Sequence, residues 1–140
     1  MTDLTVDASV WIAAADRADA FHDESQLFLG VVGLEDIRLL VPAFAVVEVG
    51  CGLARKRRGT AAGLMLMQDL LKVEGITHVA VDEALLAEAL RLGVDRFLRG
   101  ADALYAATAS MTNSTLVSWD RELIERAGAI SPTDWLDANP

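Results

Sequence analysis

Four acidic residues stand where a catalytic site would want them: Asp7, Glu48, Asp102 and Asp120. Asp7 closes the run LTVD and Asp120 closes TLVSWD, so each follows an apolar, β-branched stretch that predicts a strand. An aspartate at the carboxyl end of a strand has two readings. Its side chain caps the helix that follows, or it joins a ligand site at the C-terminal edge of a parallel sheet. Glu48 is a different anomaly. It lies in AFAVVEVGCGLA, among apolar or small neighbours, in a segment that predicts a deeply buried helix. A lone buried carboxylate costs on the order of several kcal/mol, so Glu48 needs an arginine, a proton or a cation. Asp102 opens DALYAATA after Arg99, Gly100 and Ala101. An acid there suits the helix N-terminus whether or not it also binds a ligand.

Several carboxylates in one pocket repel one another and are stable only when protonated or when they hold a cation. Oxygen-only ligands favour Mg²⁺ or Mn²⁺ over zinc or copper. Such ions activate water and clamp a phosphodiester for in-line displacement. The formal net charge of −9 argues against coating nucleic acid through the whole surface. A bound metal reconciles that charge with an anionic substrate.

The elements that must position these acids follow from the pattern of the chain. At 140 residues the chain fits one domain, residues 1–140, and 53% hydrophobic content excludes a disordered polymer. The single cysteine, Cys51, excludes an internal disulfide framework or a multi-cysteine zinc site, and it reads as a small buried hydrophobe. No apolar run reaches the roughly 18 residues of a membrane helix. The acidic start, MTDLTVDAS, does not read as a secretory signal, so the expected compartment is the cytoplasm. Strands are predicted at Leu4–Ala8, Ile37–Val41, Ile76–Val81 and Ser114–Trp119, with a very short fifth in AIS near Ile130. Helices are predicted over Ala20–Leu34, Ala43–Arg57, Thr60–Lys72, Glu83–Leu92, Ala101–Met111 and Arg121–Arg126. Ser9, Thr60 and Asp82 read as caps, Pro42 as first-turn proline and Gly128 as a terminator. Alternating strands and helices predict an α/β fold with a parallel sheet covered on both faces.

The segments TVDASVWIA, VPAFAVVEVGCGLAR, RGADALYAATA and LVSWDREL, taken in this order, resemble the PIN-domain ribonucleases, especially the VapC toxins of VapBC-type toxin–antitoxin pairs. The resemblance implies a PIN-like three-layer α/β/α sandwich with a central parallel sheet of four to five strands. It implies that Asp7, Glu48, Asp102 and Asp120 hold Mg²⁺ or Mn²⁺, and that Ser9 bonds the metal shell or the Asp7 carboxylate. Ser118, two residues before the last acid, is a weaker site candidate. The implied activity is endoribonuclease cleavage leaving 5′-phosphate and 3′-hydroxyl ends. The implied partners are an RNA substrate, a small VapB-like antitoxin and a second copy in a homodimer. Gly50 and Gly52 depart from the pattern, because each costs about 1 kcal/mol relative to alanine in a helix interior. Close helix–helix approach, including at a dimer interface, offsets such a cost.

Arg55, Lys56, Arg57 and Arg58 form the only basic run. It reads either as a solvated helix end or as a phosphate contact for RNA, and Arg99 leads toward Asp102 in the same way. Trp11 and Trp119 flank acids and read as core or as stacking platforms, core being favoured. Trp135 reads as a packing anchor. Leu64–Met67 is a sticky stretch that reads as ordinary core or as partner surface. Two other functions compete. An aspartyl-phosphate phosphotransfer domain needs a lysine near another strand end, whereas Lys56 and Lys72 both fall in helices. A non-catalytic RNA- or partner-binding module would not need all the acids.

Overall fold

The computed structural model describes residues 2–140. Its strands are β1 (Leu4–Val6), β2 (Leu39–Pro42), β3 (Ile76–Val79) and β4 (Thr115–Val117). All pairs are parallel and the spatial order is β3-β2-β1-β4. An isolated bridge between Val117 and Ile130 supplies the short fifth contact expected of AIS. The helices are α1 (Ala8–Ala15), α2 (His22–Leu34), α3 (Ala45–Arg57), α4 (Thr60–Lys72), α5 (Glu83–Arg96), α6 (Gly100–Thr112), α7 (Arg121–Ala127) and α8 (Pro132–Ala138). The result is the expected PIN-like α/β/α sandwich.

The central strands have no solvent-facing side. Leu4, Thr5 and Val6 are all buried, which is why β1 reads as a continuous apolar run rather than an alternation. The Thr5 hydroxyl is satisfied by Ser114 Oγ at 2.6 Å. Helix α6 lies against β1, β2 and β4, and its alanines 103, 106, 107 and 109 are buried, Ala103 in close contact with Gly93 of α5. Helix α5 packs over α6. On another side α2 packs against both α1 and α8, and Phe28 meets Trp135 edge-to-face at 5.3 Å. Trp135 is therefore the anchor the sequence implied. The helix that carries it has its own signals, Ser131 capping at Asp134 N and Pro132 in the first turn.

The two glycines of α3 are explained within the chain. A β-carbon on Gly63 of α4 would run into the Gly50 backbone, and one on Gly52 would lie 2.6 Å from Ile12 Cδ1 of α1. Helix α3 thus trades helix propensity for close contact on two sides, and no dimer is needed to account for it.

Several local expectations are corrected. Asp7, not Ser9, caps α1, and Gly59, not Thr60, precedes α4. Pro42 ends β2 instead of opening a helix, and α3 begins only at Ala45. Helix α5 runs one turn past Leu92 and stops at Phe97 in the left-handed conformation. The largest correction concerns α3, expected to be deeply buried. Only Ala45, Val49 and Leu53 are, while Val47 is 60% exposed and Cys51 faces solvent. Leu64 and Met65 on α4 are exposed too. Together the two helices leave an apolar groove of about 520 Å³ lined by Val46, Val47, Leu64 and Met67.

Candidate active site

Parallel topology brings the C-terminal ends of β1 and β4 side by side, and the acids converge there. Asp7 follows β1 in extended backbone and caps α1, its Oδ1 accepting from Ser9 N at 2.5 Å. Its Oδ2 accepts from the hydroxyls of Ser118 and, at 3.3 Å, of Ser9. Ser118 is wholly buried, and its Oγ accepts from Asp120 N at 2.9 Å. Ser9 Oγ in turn accepts from Trp119 N at 3.0 Å. The two hydroxyls therefore stitch the end of β1 to the end of β4. Ser118 holds the Asp7 carboxylate more directly than Ser9 does, a ranking the sequence did not give.

No cationic side chain touches Asp7 among the described residues, and its side chain is only 5% exposed. Burial pushes its pKa up to about 6. The bonds from Ser118 and Ser9 pull it down, and the negative charges of Glu48 and Asp102 add to the rise.

Asp120 caps α7, its Oδ1 accepting from Glu122 N at 2.8 Å. Asp102 lies in the first turn of α6. Arg99 precedes that helix and joins the two acids. Its Nε lies 3.3 Å from Asp102 Oδ2, and its Nη2 lies 3.2 Å from Asp120 Oδ2. One guanidinium thus spans both carboxylates, and Glu122 stands 3.6 Å away as a third. Burial raises the Asp102 pKa, the charge of Asp120 adds to the rise, and Arg99 opposes it.

Glu48 projects from the first turn of α3 and is half-buried. Burial first, and then the charge of Asp102, raise its pKa. Beside it lies a group the sequence reading passed over. Tyr105 sits three residues after Asp102, hence on the same face of α6. It is almost fully buried, and among the described residues its hydroxyl has no hydrogen-bond partner. That hydroxyl lies near the Glu48 carboxylate and the backbone of Ala8 without completing a sound bond to either. Burial, followed by the charges of Glu48 and Asp7, holds the phenol above its ordinary range. The one available signal was compositional: Tyr105 is the only tyrosine, and it stands at helical spacing from an acid. Glu122 was also missed, although it lies two residues beyond Asp120.

The four acids therefore share one electrostatic neighbourhood. Their donor chemistry fits a hard divalent cation: oxygen only, more negative charge than one arginine offsets, and an orphaned hydroxyl beside Glu48. Among the described residues no three acidic, histidine or cysteine side chains are close enough to ligate an ion as they stand. Asp7 is turned into its serines, and Asp102 and Asp120 are turned onto Arg99.

The other candidates lie elsewhere. The basic run ends α3, about 10 Å along the helix axis from Glu48. Lys56 pairs with Asp16 and Asp19, and Arg57 with Asp16, so half of that run is spoken for. Arg55 and Arg58 line a separate notch of about 500 Å³. Trp11 is buried and donates to Val6 O, while Trp119 stacks on Phe21 at 4.1 Å and donates to Ser25. Both serve as packing. His22, part-buried, bonds Ala13 O through Nδ1.

The family model of the PIN domain matches residues 4–129. The chain belongs to the PIN-domain family. Solved structures agree with this PIN domain in fold. PAE2754 from Pyrobaculum aerophilum is 27% identical, with 98% of this chain and 88% of that chain covered at a TM-score of 0.70. Mycobacterium tuberculosis VapC20, a sarcin–ricin-loop-cleaving toxin, is 18% identical, with 91% and 97% covered at a TM-score of 0.76. The FitAcB structure from Neisseria gonorrhoeae is 19% identical, with 94% and 98% covered at a TM-score of 0.65. No curated protein matches by sequence.

Proposed function

We propose that this PIN domain is a Mg²⁺- or Mn²⁺-dependent endoribonuclease, the toxin of a type II toxin–antitoxin pair. One observation carries the reading: a buried aspartate with no cationic partner, in the field of other carboxylates at the C-terminal edge of the sheet. Family membership and neighbours that include VapC20 support a ribonuclease of this class.

Asp7, Glu48, Asp102 and Asp120 would hold the ion. When bound, it supplies Lewis acidity at a phosphodiester oxygen and a water acidic enough to attack phosphorus. The chain's own work is positional. Ser9 and Ser118 hold the Asp7 carboxylate in place at the sheet edge through three hydrogen bonds. Helices α1 and α7 begin on Asp7 and Asp120, which ties both acids to rigid elements rather than to loop tips. Arg99, largely exposed above the acids, is placed to meet a substrate phosphate.

A VapB-like antitoxin is the proposed partner, with solved toxin–antitoxin complexes among the structural neighbours. The exposed Val47, Leu64 and Met65 offer it apolar surface. We also propose that the chain works as a homodimer. An aspartyl-phosphate reaction is not favoured. Both Asp7 oxygens are engaged, and Lys56 lies at the far end of α3 on other acids.

The test is cleavage of a defined RNA with Mn²⁺ and with EDTA, followed by induction in cells with and without the genomic neighbour. Metal-dependent cleavage and growth arrest relieved by the neighbour are expected. Mn²⁺ binding with no cleavage of any RNA would favour a non-catalytic binding module.

A further inference from the structure

We propose that Arg99 is a resident counter-ion of the carboxylate cluster, which a divalent cation must displace in order to bind; this rests on the metal-dependent reading above. The guanidinium occupies carboxylate oxygens that an ion would need. It reaches Asp102 at 3.3 Å and Asp120 at 3.2 Å, with Glu122 at 3.6 Å. Asp102 and Asp120 thus face the guanidinium in the structure.

The geometry favours exchange over permanent pairing. Arg99 holds the N-cap position of α6 but makes no capping bond, so its backbone is fixed while its side chain is free for the acids. That side chain is 71% exposed, so departure breaks only screened ion pairs. Asp102 and Asp120 are three and twenty-one residues away in sequence, and among the described residues only the guanidinium hydrogen-bonds to both. Removing the arginine therefore leaves two acids whose repulsion an ion would relieve. Linkage follows: whatever draws Arg99 off the acids strengthens metal binding. A phosphodiester, which takes arginine in a forked pair, has the right charge to do so.

The experiment is calorimetric titration with Mn²⁺ at low ionic strength on wild type, Arg99→Ala and Arg99→Lys, with melting of each in EDTA and in Mn²⁺. The alanine variant is expected to bind Mn²⁺ about three- to thirtyfold more tightly, from loss of two exposed ion pairs, with lysine closer to wild type. In EDTA the alanine variant should melt below wild type, and Mn²⁺ should close the gap. Equal or weaker Mn²⁺ binding by the alanine variant, with wild type binding normally, overturns the role of Arg99 and leaves the metal reading standing. Failure of all three proteins to bind Mn²⁺ overturns the metal reading and this inference with it.

Discussion

Helix α1 begins and ends on a buried aspartate, and the two have opposite fates. Asp7 at its N-terminus is held only by hydroxyls and one amide, with carboxylates around it, and its pKa rises to about 6. Asp16 at its C-terminus is 2% exposed, covered by the side chains of Lys56 and Arg57 rather than sunk in the core. The Ala18 amide bond and those two cations hold its pKa below the ordinary value. The same residue type at the two ends of one helix is solved at one end and left unsolved at the other. A carboxylate that the fold pairs is architecture. One that the fold buries without a cation, at the edge of a parallel sheet, is a candidate functional site.

The strongest way to break that comparison is to neutralise each aspartate in turn. Asp7→Asn keeps the Oδ1 that accepts from Ser9 N, and so keeps the cap, while its Nδ2 faces Ser118 Oγ as a donor where Oδ2 accepted. It removes a charge from the metal set and should lower Mn²⁺-dependent RNA cleavage by about 10³-fold, the effect of losing roughly 4 kcal/mol of charge stabilisation. Asp16→Asn should leave cleavage unchanged and lower the melting temperature instead. Equal loss of cleavage in both variants would show that the distinction between the two ends is false.

The pH dependence of stability carries the same contrast with opposite signs. The folded-state pKa of Asp7 lies above its unfolded value of 3.8, so the native state binds the extra proton between about pH 4 and 6. Stability from this group is present below pH 4 and lost as pH rises through 6. In metal-free protein Asp7→Asn should gain on wild type across that window, by up to about 3 kcal/mol, and by no more above it. For Asp16 the folded pKa is depressed, so its contribution is present above the unfolded value and lost as pH falls through the folded one. The penalty for Asp16→Asn should therefore shrink in acid. Chemical denaturation of both variants from pH 4 to 8 in EDTA measures the two slopes.

Tyr105 sharpens the comparison from the core side. Its buried hydroxyl has no partner among the described residues, whereas the buried carboxylate of Asp16 has several. Tyr105→Phe removes an orphaned polar atom and should raise stability by about 1 kcal/mol. If the hydroxyl steadies Glu48 when a metal is bound, the same variant should weaken Mn²⁺ binding by about tenfold. Calorimetry and melting on one preparation give both numbers. A less stable variant would show that the hydroxyl is bonded after all, and unchanged Mn²⁺ affinity would make Tyr105 simple filling.

Much of this was legible in the sequence because strand-end acids announce themselves. LTVD and TLVSWD fix both the strand and the edge at which its acid emerges, and parallel pairing then brings Asp7 and Asp120 together. Asp102 and Arg99 followed from their place at the start of α6. Long-range partnership was not legible. Nothing local in the basic run says that Lys56 and Arg57 reach back to Asp16, because that contact depends on how α3 crosses α1. The exposure of α3 was misread for a related reason. An all-apolar helix predicts burial, and only the crossing of α4 at Gly63 shows that one face remains open. The weak rank given to Ser118 reflects the same blindness, since its bond to Asp7 spans 111 positions of sequence.

The smallest expected effect separates the basic run into halves. Lys56 and Arg57 neutralise Asp16, so their alanine variants should lower melting temperature. Arg55 and Arg58 make no ion pair among the described residues and line an open notch. Alanine at either should leave melting unchanged. If RNA runs past the acids toward this end of α3, each replacement should weaken binding of a non-cleavable oligonucleotide and reduce the salt slope by about one unit. Fluorescence anisotropy with Asp7→Asn as the background, at several salt concentrations, reads that slope directly. An unchanged slope for both arginines would confine the RNA to the neighbourhood of Arg99. The end of α1 that carries Asp16 would then be purely structural.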